Sequence, residues 1–412
     1  MEVILKDAVI IGGGPAGLAA ALKLKEKGVE EILILEREKK PGGILRQCIH
    51  DGFGLVRFNE ALSGPEYANR FVEQVEKANI EIETGATVIN LKNNKEVVAA
   101  TRDGLKKYKA KVVVLTMGCR ERTRGAISIP GTRPAGVFTA GVAQSYMNLK
   151  NIMVGKTVVI LGSGDIGLIM ARRLTLEGAN VLAVIEKLPY PSGLPRNIQQ
   201  CLNDYNIPLY LSHTVTNIKG KERLKAVTVG KVDENGQTIK GTEKEYKCDT
   251  LILSVGLIPE NELSLKAGVE LDERTKGPVV DENLQTSVEG IYAAGNVLHV
   301  HDLVDFVSNE GEKLAESAAR YIREEKEKES NISIKPDKTI NNVVPQRISG
   351  ENDVEISLRV SRPSRDGAIE IRQGEKVIKV KNLKKLNPAE MIHITLKKED
   401  ISGKEDIKVV AV

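Results

Sequence analysis

Two glycine-rich segments with one internal layout lie 150 residues apart in this chain of 412 residues. The glycines stand at the same three places in each segment: Gly12, Gly14 and Gly17, then Gly162, Gly164 and Gly167. In such a turn the first glycine permits the bend and the second lets backbone N–H groups approach a pyrophosphate. The third lets the next helix pack against the strand. The helix N-terminus then presents unpaired N–H groups to phosphates. The spacing therefore predicts two dinucleotide sites.

An acidic residue completes each segment. Nineteen positions after the last glycine, Glu36 ends the apolar run 32–35 and Glu186 ends the run 181–185. A carboxylate at the end of this strand accepts hydrogen bonds from ribose hydroxyls. Glu186 also favours NADH over NADPH because it repels a 2′-phosphate, although Lys187 keeps NADPH open as the less favoured reductant. Two such sites suggest a flavin that stays bound and a nicotinamide that exchanges.

The elements that position these residues are readable from the pattern around them. Apolar runs at 8–11 and 157–161 precede the turns, and the helix-forming segments 18–24 and 168–174 follow. Each copy is therefore predicted to be strand, turn, helix and strand, which makes the fold class α/β with two Rossmann-like domains. We expect cofactor contacts to extend to residues beside the turns and acids: Pro15, Ala16, Arg37, Asp165 and Ile166.

Composition excludes several other classes. No apolar run approaches the roughly 20 residues of a membrane-spanning helix, and no signal-peptide pattern precedes the first strand, so we expect a cytoplasmic protein. The net charge of +4 gives no case for nucleic-acid binding. The four cysteines are widely spaced without a CxxC, which is typical of neither a disulfide framework nor a zinc site.

The C-terminal residues change character. Residues 353–360 alternate apolar and polar side chains, and residues 368–372 and 377–380 flank a turn. Short strands at this spacing predict a small all-β, sandwich-like domain. This segment contains no catalytic constellation, so we interpret it as an interaction module.

The ordered motifs resemble the two-nucleotide flavoproteins of the pyridine nucleotide–disulfide oxidoreductase superfamily. The resemblance covers about residues 5–325 and rests on both turns with their acids and on the segments 42–45, 115–118, 254–256 and 291–296. It implies a discontinuous FAD domain at 1–124 and 285–330, an inserted NAD(P)H domain at 125–284 and the β domain at 331–412. These proteins are enzymes, which implies that this chain is an FAD-dependent NAD(P)H oxidoreductase.

The resemblance also implies roles for single residues. Gly295 and Asn296 would contact the ribityl-pyrophosphate part of FAD, the backbone near Val88 would contact the adenine, and the helix start at Val304 would face the isoalloxazine. Further cofactor contacts carried over in this way are Gly43, Ile44, Thr116, Gly118 and Gly256.

Two departures from the family pattern bear on activity. Asn296 stands where the family usually has Asp, which removes one charge but keeps hydrogen bonding. The paired redox cysteines are absent, because Cys48 follows Gly43 alone and Cys201 is also single. A dithiol relay needs a resolving thiol, so disulfide reductase activity is not expected. The segment 42–55 resembles the alpha subunits of heteromeric amine and amino-acid dehydrogenases and the oxidoreductases that accompany FAD-dependent glycerol-3-phosphate dehydrogenases.

Several candidates have two interpretations. Cys48 is a candidate catalytic thiol, but a buried inert cysteine is as common. His50 could relay a proton, although packing is the simpler role. His299, His301, Asp302 and Asp305 contain metal-ligating groups, yet their spacing before a helix favours capping and loop contacts, so we expect no metal.

Three functional hypotheses follow. The first is an oxidoreductase that passes hydride from NAD(P)H to FAD and electrons to a protein or small acceptor. The second is the electron-transfer subunit of a heteromeric dye-linked dehydrogenase, in an oligomeric assembly with a partner dehydrogenase subunit. The third is a thiol or peroxide reductase that uses Cys48 alone.

Overall fold

The computed structural model describes residues 2–325 and 328–412. By their contacts these residues form two compact units. One contains the chain up to Cys119 together with Pro259–Val412, and the other contains Arg120–Ile258. The chain therefore leaves the first unit once and returns to it. The assignment of a cofactor to each part stays a prediction.

The first unit begins with a sheet of mainly parallel strands flanked by helices. Its elements, in chain order, are β1 (Val3–Ile11), α1 (Pro15–Glu26), β2 (Ile32–Glu36), β3 (Asp51–Phe53), β4 (Leu62–Ser63), α2 (Gly64–Lys77), β5 (Glu81–Thr84), β6 (Thr87–Leu91), β7 (Glu96–Thr101) and β8 (Gly104–Leu115). The strand order is β5-β2-β1-β8-β7-β6. The whole of β2 is buried, as expected for a parallel strand covered on both faces.

The inserted unit repeats this arrangement on a smaller scale. Its elements are β10 (Val137–Thr139), α3 (Ala140–Lys150), β11 (Thr157–Leu161), α4 (Asp165–Leu176), β12 (Asn180–Ile185), α5 (Pro195–Cys201), β13 (Leu209–Tyr210), β14 (His213–Gly220), β15 (Leu224–Lys231), β16 (Lys244–Lys247) and β17 (Thr250–Leu253), and the strands that connect it are β9 (Cys119–Glu121) and β18 (Leu257–Pro259). The parallel sheet has the order β10-β17-β11-β12-β13. Alternate residues of β11 enter two separate cores because successive side chains of a strand point to opposite faces.

On its return the chain completes the first sheet and then forms a β domain. The elements are α6 (Glu262–Lys266), β19 (Ile291–Ala293), α7 (Val304–Ile322), β20 (Ile332–Pro336), β21 (Ile340–Val344), β22 (Arg347–Ile348), β23 (Val354–Val360), β24 (Ser364–Gln373), β25 (Lys376–Leu386), β26 (Ile392–Leu396) and β27 (Ile407–Ala411). Strand β19 pairs with β8. Two C-terminal sheets, ordered β22-β20-β27-β24-β25 and β21-β23-β26, share one apolar core. The predicted fold class, two Rossmann-like sheets followed by C-terminal antiparallel sheets, is confirmed.

Candidate functional site

The first glycine turn lies where the carboxyl ends of four parallel strands meet. Ile11 at the end of β1 pairs with Leu35 of β2 and with Leu115 of β8, and Ala293 of β19 pairs with the same Leu115. The residues at or just after these strand ends converge at one edge of the sheet, which is the ligand-binding edge of open α/β folds. The predicted site residues brought together there are Gly12, Glu36, Thr116, Gly118, Gly295 and Asn296.

The three glycines of this turn have different reasons to be glycine. Gly12 has φ +109°, and a Cβ on it would lie 2.5 Å from the carbonyl oxygen of Thr116. A Cβ on Gly17 would lie 2.0 Å from the carbonyl oxygen of Gly12. A Cβ on Gly14 would meet nothing closer than the Cα of Gly43, at 4.0 Å. The first and third glycines thus serve internal packing, whereas the second leaves open space beside the backbone, as close approach of a pyrophosphate requires.

The start of helix α1 has the features of an anion-binding helix N-terminus. Gly14 is the N-cap, Pro15 opens the helix, and within the described residues no side chain caps its first turn. Gly295, with φ +76°, lies beside this start, because a Cβ on it would be 3.1 Å from the Cβ of Ala16. The uncapped N–H groups and the helix dipole favour a phosphate at this position.

Glu36 is buried beside the turn with spare hydrogen-bonding capacity. Its Oε2 accepts the backbone N–H of Gly13 at 2.8 Å, and its Oε1 accepts that of Glu38 at 2.8 Å. A carboxylate offers about four acceptor positions, so one position remains on each oxygen. Two vacant positions match the two hydroxyls of a ribose. The chain just before the predicted adenine contact Val88 lies close by, since Ala86 donates its N–H to the carbonyl of Glu36 at 2.9 Å.

A buried carboxylate that the sequence analysis did not single out holds the returning segment. Glu310 of α7 accepts the backbone N–H of Gly295 at 2.5 Å through Oε2 and contacts Nε2 of His299 at 2.7 Å through Oε1. His301 Nε2 lies 3.6 Å from Oε2. Burial lowers the pKa of His299. Burial opposes ionisation of Glu310, yet the two imidazoles hold its pKa below the ordinary value. The Nε2–H of His299 therefore donates to Oε1 of Glu310.

Of the two roles expected for the histidines, capping and loop contacts, this cluster shows loop contacts. Helix α7 begins after Leu303 with no side-chain cap among the described residues. His299, His301 and Glu310 have donor atoms within 4.8 Å of one another, a set that could hold a metal ion. The carboxylate is already engaged by Gly295 and His299, so internal hydrogen bonds account for its position. The expected absence of a metal stays a prediction.

The acids near the histidines have other contacts. Asp302 Oδ1 lies 3.5 Å from the guanidinium of Arg359, and its Oδ2 accepts the N–H of Met391. Asp305 Oδ2 accepts the backbone N–H of Val56 at 2.9 Å. Both carboxylates thus connect segments of the first unit instead of joining the histidine cluster.

Asn296 also makes internal contacts. Its Oδ1 accepts the backbone N–H of His301 at 3.0 Å, and its Nδ2 lies 3.7 Å from the sulfur of Cys119. An aspartate in this place would lack the amide donor that points at the sulfur. The amide therefore fits the contacts of this chain.

The candidate thiol lacks the properties of a reactive cysteine. Cys48 Sγ donates to the carbonyl of Ile44 at 3.4 Å, and burial raises its pKa to about 12. The thiolate is the nucleophile, and at this pKa it is negligible near neutral pH. Burial also raises the pKa of Cys201 and of Cys248 to about 11. None of the four cysteines, all in the described part of the chain, forms a disulfide.

The remaining predicted positions are more exposed. His50 is half-buried, with Nδ1 3.2 Å from the carbonyl of Asp51, and Ile44 is 58% exposed beside the turn. Arg37 is exposed after β2, and Val304 is the first residue of α7. A cavity of about 1000 Å³ is lined by Asp281 and other residues, and none of the predicted site residues lines it. This cavity is therefore separate from the two glycine turns.

The second glycine turn reproduces the first within the inserted unit. Gly162 has φ +99°, and a Cβ on it would lie 1.9 Å from the carbonyl oxygen of Ser254. A Cβ on Gly167 would lie 2.7 Å from the Cβ of Ser254, whereas one on Gly164 would meet nothing closer than 3.5 Å. Ser254, which follows β17, also accepts the N–H of Gly167 at 3.1 Å. The second glycine is again the one whose open face a ligand could use.

Residues beside this turn fold over it. The carboxylate of Asp165, in the first turn of α4, accepts the N–H of Leu194 at 2.8 Å and the amide of Asn197 at 2.6 Å. Gly256, two residues after Ser254, has φ +99°, and Ile166 is half-buried in α4. Asp165 thus anchors the segment after β12 to the start of α4.

Glu186 is buried like Glu36 but accepts more hydrogen bonds. Its Oε2 accepts the N–H of Ser163 at 2.9 Å, the hydroxyl of Ser163 at 2.6 Å and the hydroxyl of Ser192 at 3.0 Å. Its Oε1 accepts the N–H of Leu188 at 2.9 Å. Only Oε1 keeps a vacant acceptor position, so the two glutamates differ although they hold corresponding places in the two segments.

Two open glycine turns, each with a buried acid at a strand end, define a protein with two dinucleotide-binding folds of the Rossmann type. Residues 6–321 match the family model described as pyridine nucleotide-disulphide oxidoreductase, so the chain belongs to this family. Its members are flavoprotein NAD(P)H oxidoreductases, and binding of FAD and NAD(P) is typical of them. The C-terminal β domain lies outside the match. No helix among residues 2–325 and 328–412 is long and apolar enough to cross a membrane.

Three similar proteins illustrate the range of the family. The chain is 28% identical over 312 residues to an NAD(P)H sulfur oxidoreductase (CoA-dependent) of Pyrococcus abyssi, covering 73% of this chain and 64% of that protein. It is 27% identical to a subunit of the opine oxidase of Rhizobium meliloti, covering 70% and 58%. The crystal structure of T. acidophilum thioredoxin reductase superposes with a TM-score of 0.64 at 27% identity, covering 77% and 98%. The chain thus spans less than two thirds of the first two relatives.

Proposed function

We propose that this chain is an FAD-dependent oxidoreductase that takes hydride from NAD(P)H and passes the electrons to a protein or small acceptor without a redox disulfide. The observation that carries the proposal is the pair of open glycine turns, each beside a buried glutamate, in a chain whose Cys48 is half-buried with its pKa raised by desolvation. Bound FAD supplies the ring that accepts and releases electrons, so no protein nucleophile is required.

The first turn is proposed to hold FAD. The open face at Gly14 and the uncapped start of α1 suit the pyrophosphate, and the two vacant positions of Glu36 suit the adenosine ribose. Gly295, which returns beside Ala16, and the adjacent Asn296 suit the ribityl chain. The same proposal assigns FAD contacts to the other predicted site residues of the first unit. It places the FAD domain at residues 1–124 and 285–330.

The second turn is proposed to bind the nicotinamide nucleotide within residues 125–284, with NADH preferred. Glu186 is buried at the end of β12, where its carboxylate would face the adenosine ribose and disfavour a 2′-phosphate. Glu186→Ala should reduce the ratio of the flavin reduction rates with NADH and NADPH about tenfold or more. A factor of ten corresponds to roughly 1.4 kcal/mol. Stopped-flow flavin reduction with both nucleotides measures this. Faster reduction of the unmutated protein by NADPH would overturn the preference.

A second candidate function is the electron-transfer subunit of a heteromeric dehydrogenase. It is favoured by the likeness to the opine oxidase subunit from Rhizobium meliloti and by a C-terminal β domain that the family match leaves out. A partner subunit would then oxidise the organic substrate. Affinity purification of the tagged chain from its native host tests this, because a co-purifying dehydrogenase with substrate-dependent dye reduction is expected only for the subunit.

The primary test is the purified chain itself. It should be yellow with one FAD per chain, and NADH should bleach the flavin and support reduction of an artificial dye. A colourless protein that takes up no FAD on reconstitution would contradict the proposal. A flavoprotein that NADH and NADPH both fail to reduce would contradict the assignment of the second turn.

A further inference from the structure

The two buried glutamates differ in the number of donors on one oxygen. Oε2 of Glu36 accepts a single bond, from the backbone N–H of Gly13. Oε2 of Glu186 accepts the corresponding N–H of Ser163 and, in addition, the hydroxyls of Ser163 and Ser192. Each carboxylate oxygen has about two acceptor positions, so Oε2 of Glu186 is filled and that of Glu36 is half vacant.

The two serines form one connected unit over Glu186. The hydroxyl of Ser163 accepts the backbone N–H of Ser192 at 2.9 Å, and the two hydroxyl oxygens are 3.1 Å apart. Ser163 is fully buried, and the nearby N–H of Leu194 is fixed to Asp165. These contacts hold both serines in place. A rotamer change that moved either hydroxyl away from the carboxylate would break a hydrogen bond.

We infer that Ser163 and Ser192 determine how tightly the second turn holds its nucleotide, by occupying the acceptor position that a second ribose hydroxyl would use. This inference rests on the proposed binding of a nicotinamide nucleotide at this turn. The first turn can accept both hydroxyls of a ribose and retain its nucleotide. The second can accept one, on Oε1, which suits a nucleotide that must leave after each turnover.

The donor count predicts a non-additive effect. Removing either hydroxyl alone leaves two donors on Oε2, so no position opens. Removing both leaves the single backbone donor, as at Glu36. Ser163→Ala and Ser192→Ala should each change the dissociation constant of NAD⁺ less than twofold, while the double variant should bind NAD⁺ roughly tenfold more tightly, the order expected for one charge-assisted hydrogen bond. NADP⁺ should gain nothing, because its 2′ position has no hydroxyl to donate.

Titration calorimetry of the full chain with NAD⁺ and NADP⁺ measures these constants without turnover. Ser145→Ala on α3 is the matched control and should change neither. An unmutated chain that binds neither nucleotide would defeat the proposed function. If the unmutated chain binds NAD⁺ and the double variant binds it equally or more weakly, the role of the serines is overturned, while the proposed function stands.

A reciprocal variant keeps the inference testable if the double variant is unstable. A Cβ on Gly13 would lie 3.1 Å from Oε2 of Glu36, so Gly13→Ser places a hydroxyl where Ser163 has one. Compared with Gly13→Ala, which adds the same Cβ without the hydroxyl, Gly13→Ser should release FAD several times faster. Equal rates of flavin release from the two variants would overturn the inference.

Discussion

The side chain of Glu310 holds the backbone of Gly295, whose N–H it accepts at 2.5 Å from a position fifteen residues later in the chain. Gly295 follows β19 and lies beside Ala16 at the start of α1, while Glu310 belongs to α7. The bond therefore connects the returning segment to the helix after it, at the place proposed for the flavin. His299 donates to the other carboxylate oxygen and fixes its orientation.

Glu310→Gln should lower both stability and flavin retention. The amide can accept one of the two hydrogen bonds but lacks the charge and the second acceptor, so we expect a loss of about 1–3 kcal/mol in the free energy of unfolding. Denaturant unfolding and the rate of FAD release measure the two effects. Glu316→Gln on the same helix is the control, because the side chain of Glu316 is 45% exposed and pairs with Lys27 at the surface. Equal effects of the two variants would contradict the role of Glu310.

The free energy of unfolding should decrease as the pH falls below 6.5, the ordinary pKa of a histidine side chain. Burial lowers the pKa of His299 in the folded state from 6.5, so the unfolded chain binds a proton more readily. His299 therefore contributes its full stabilisation above about pH 6.5, and this contribution is lost as the pH decreases toward the pKa of His299 in the folded state. His299→Gln, which keeps a donor for Glu310, should flatten the dependence between about pH 7 and 5. Identical slopes for the two proteins would count against this account.

Glycine substitutions should separate folding from cofactor binding. In Gly17→Ala the new Cβ would lie 2.0 Å from the carbonyl oxygen of Gly12, so we expect destabilisation of about 1–3 kcal/mol even without flavin. In Gly14→Ala the Cβ meets only open space, so the apoprotein should keep its melting temperature and lose FAD binding. Thermal unfolding of the apoproteins and flavin content after reconstitution test the pair. Normal FAD binding by Gly14→Ala would remove the turn from the site.

NADH–dye reduction should survive Cys48→Ser nearly unchanged. The thiol is half-buried, desolvation raises its pKa to about 12, and it lacks the thiolate character that a relay needs. Steady-state NADH oxidation with a quinone or tetrazolium dye, run beside a disulfide substrate, compares the two proteins. A hundredfold loss in a fully flavin-loaded variant, about 2.7 kcal/mol in barrier, would instead make the thiol reductase hypothesis the leading one.

The sequence by itself determined the fold class and the two turns, because strand, glycine bend, helix and distal acid are set by local backbone requirements that recur at fixed spacing. It also indicated the hairpin of β24 and β25 from two strand-like runs around a short turn. Glu310 could not be found in this way, since its bond to Gly295 depends on the angle at which α7 packs against β19 and α1.

Only the tertiary structure distinguished Glu36 from Glu186. The sequence shows Gly13 in one turn and Ser163 in the other, but the segment that brings Ser192 onto Glu186 is positioned by Asp165, which accepts the N–H of Leu194 from 29 residues earlier in the chain. The pKa of Cys48 likewise depends on desolvation in the folded chain, where Gly64 packs against it. Hydrogen-bond saturation and desolvation are properties of packed neighbours, and no local pattern encodes them.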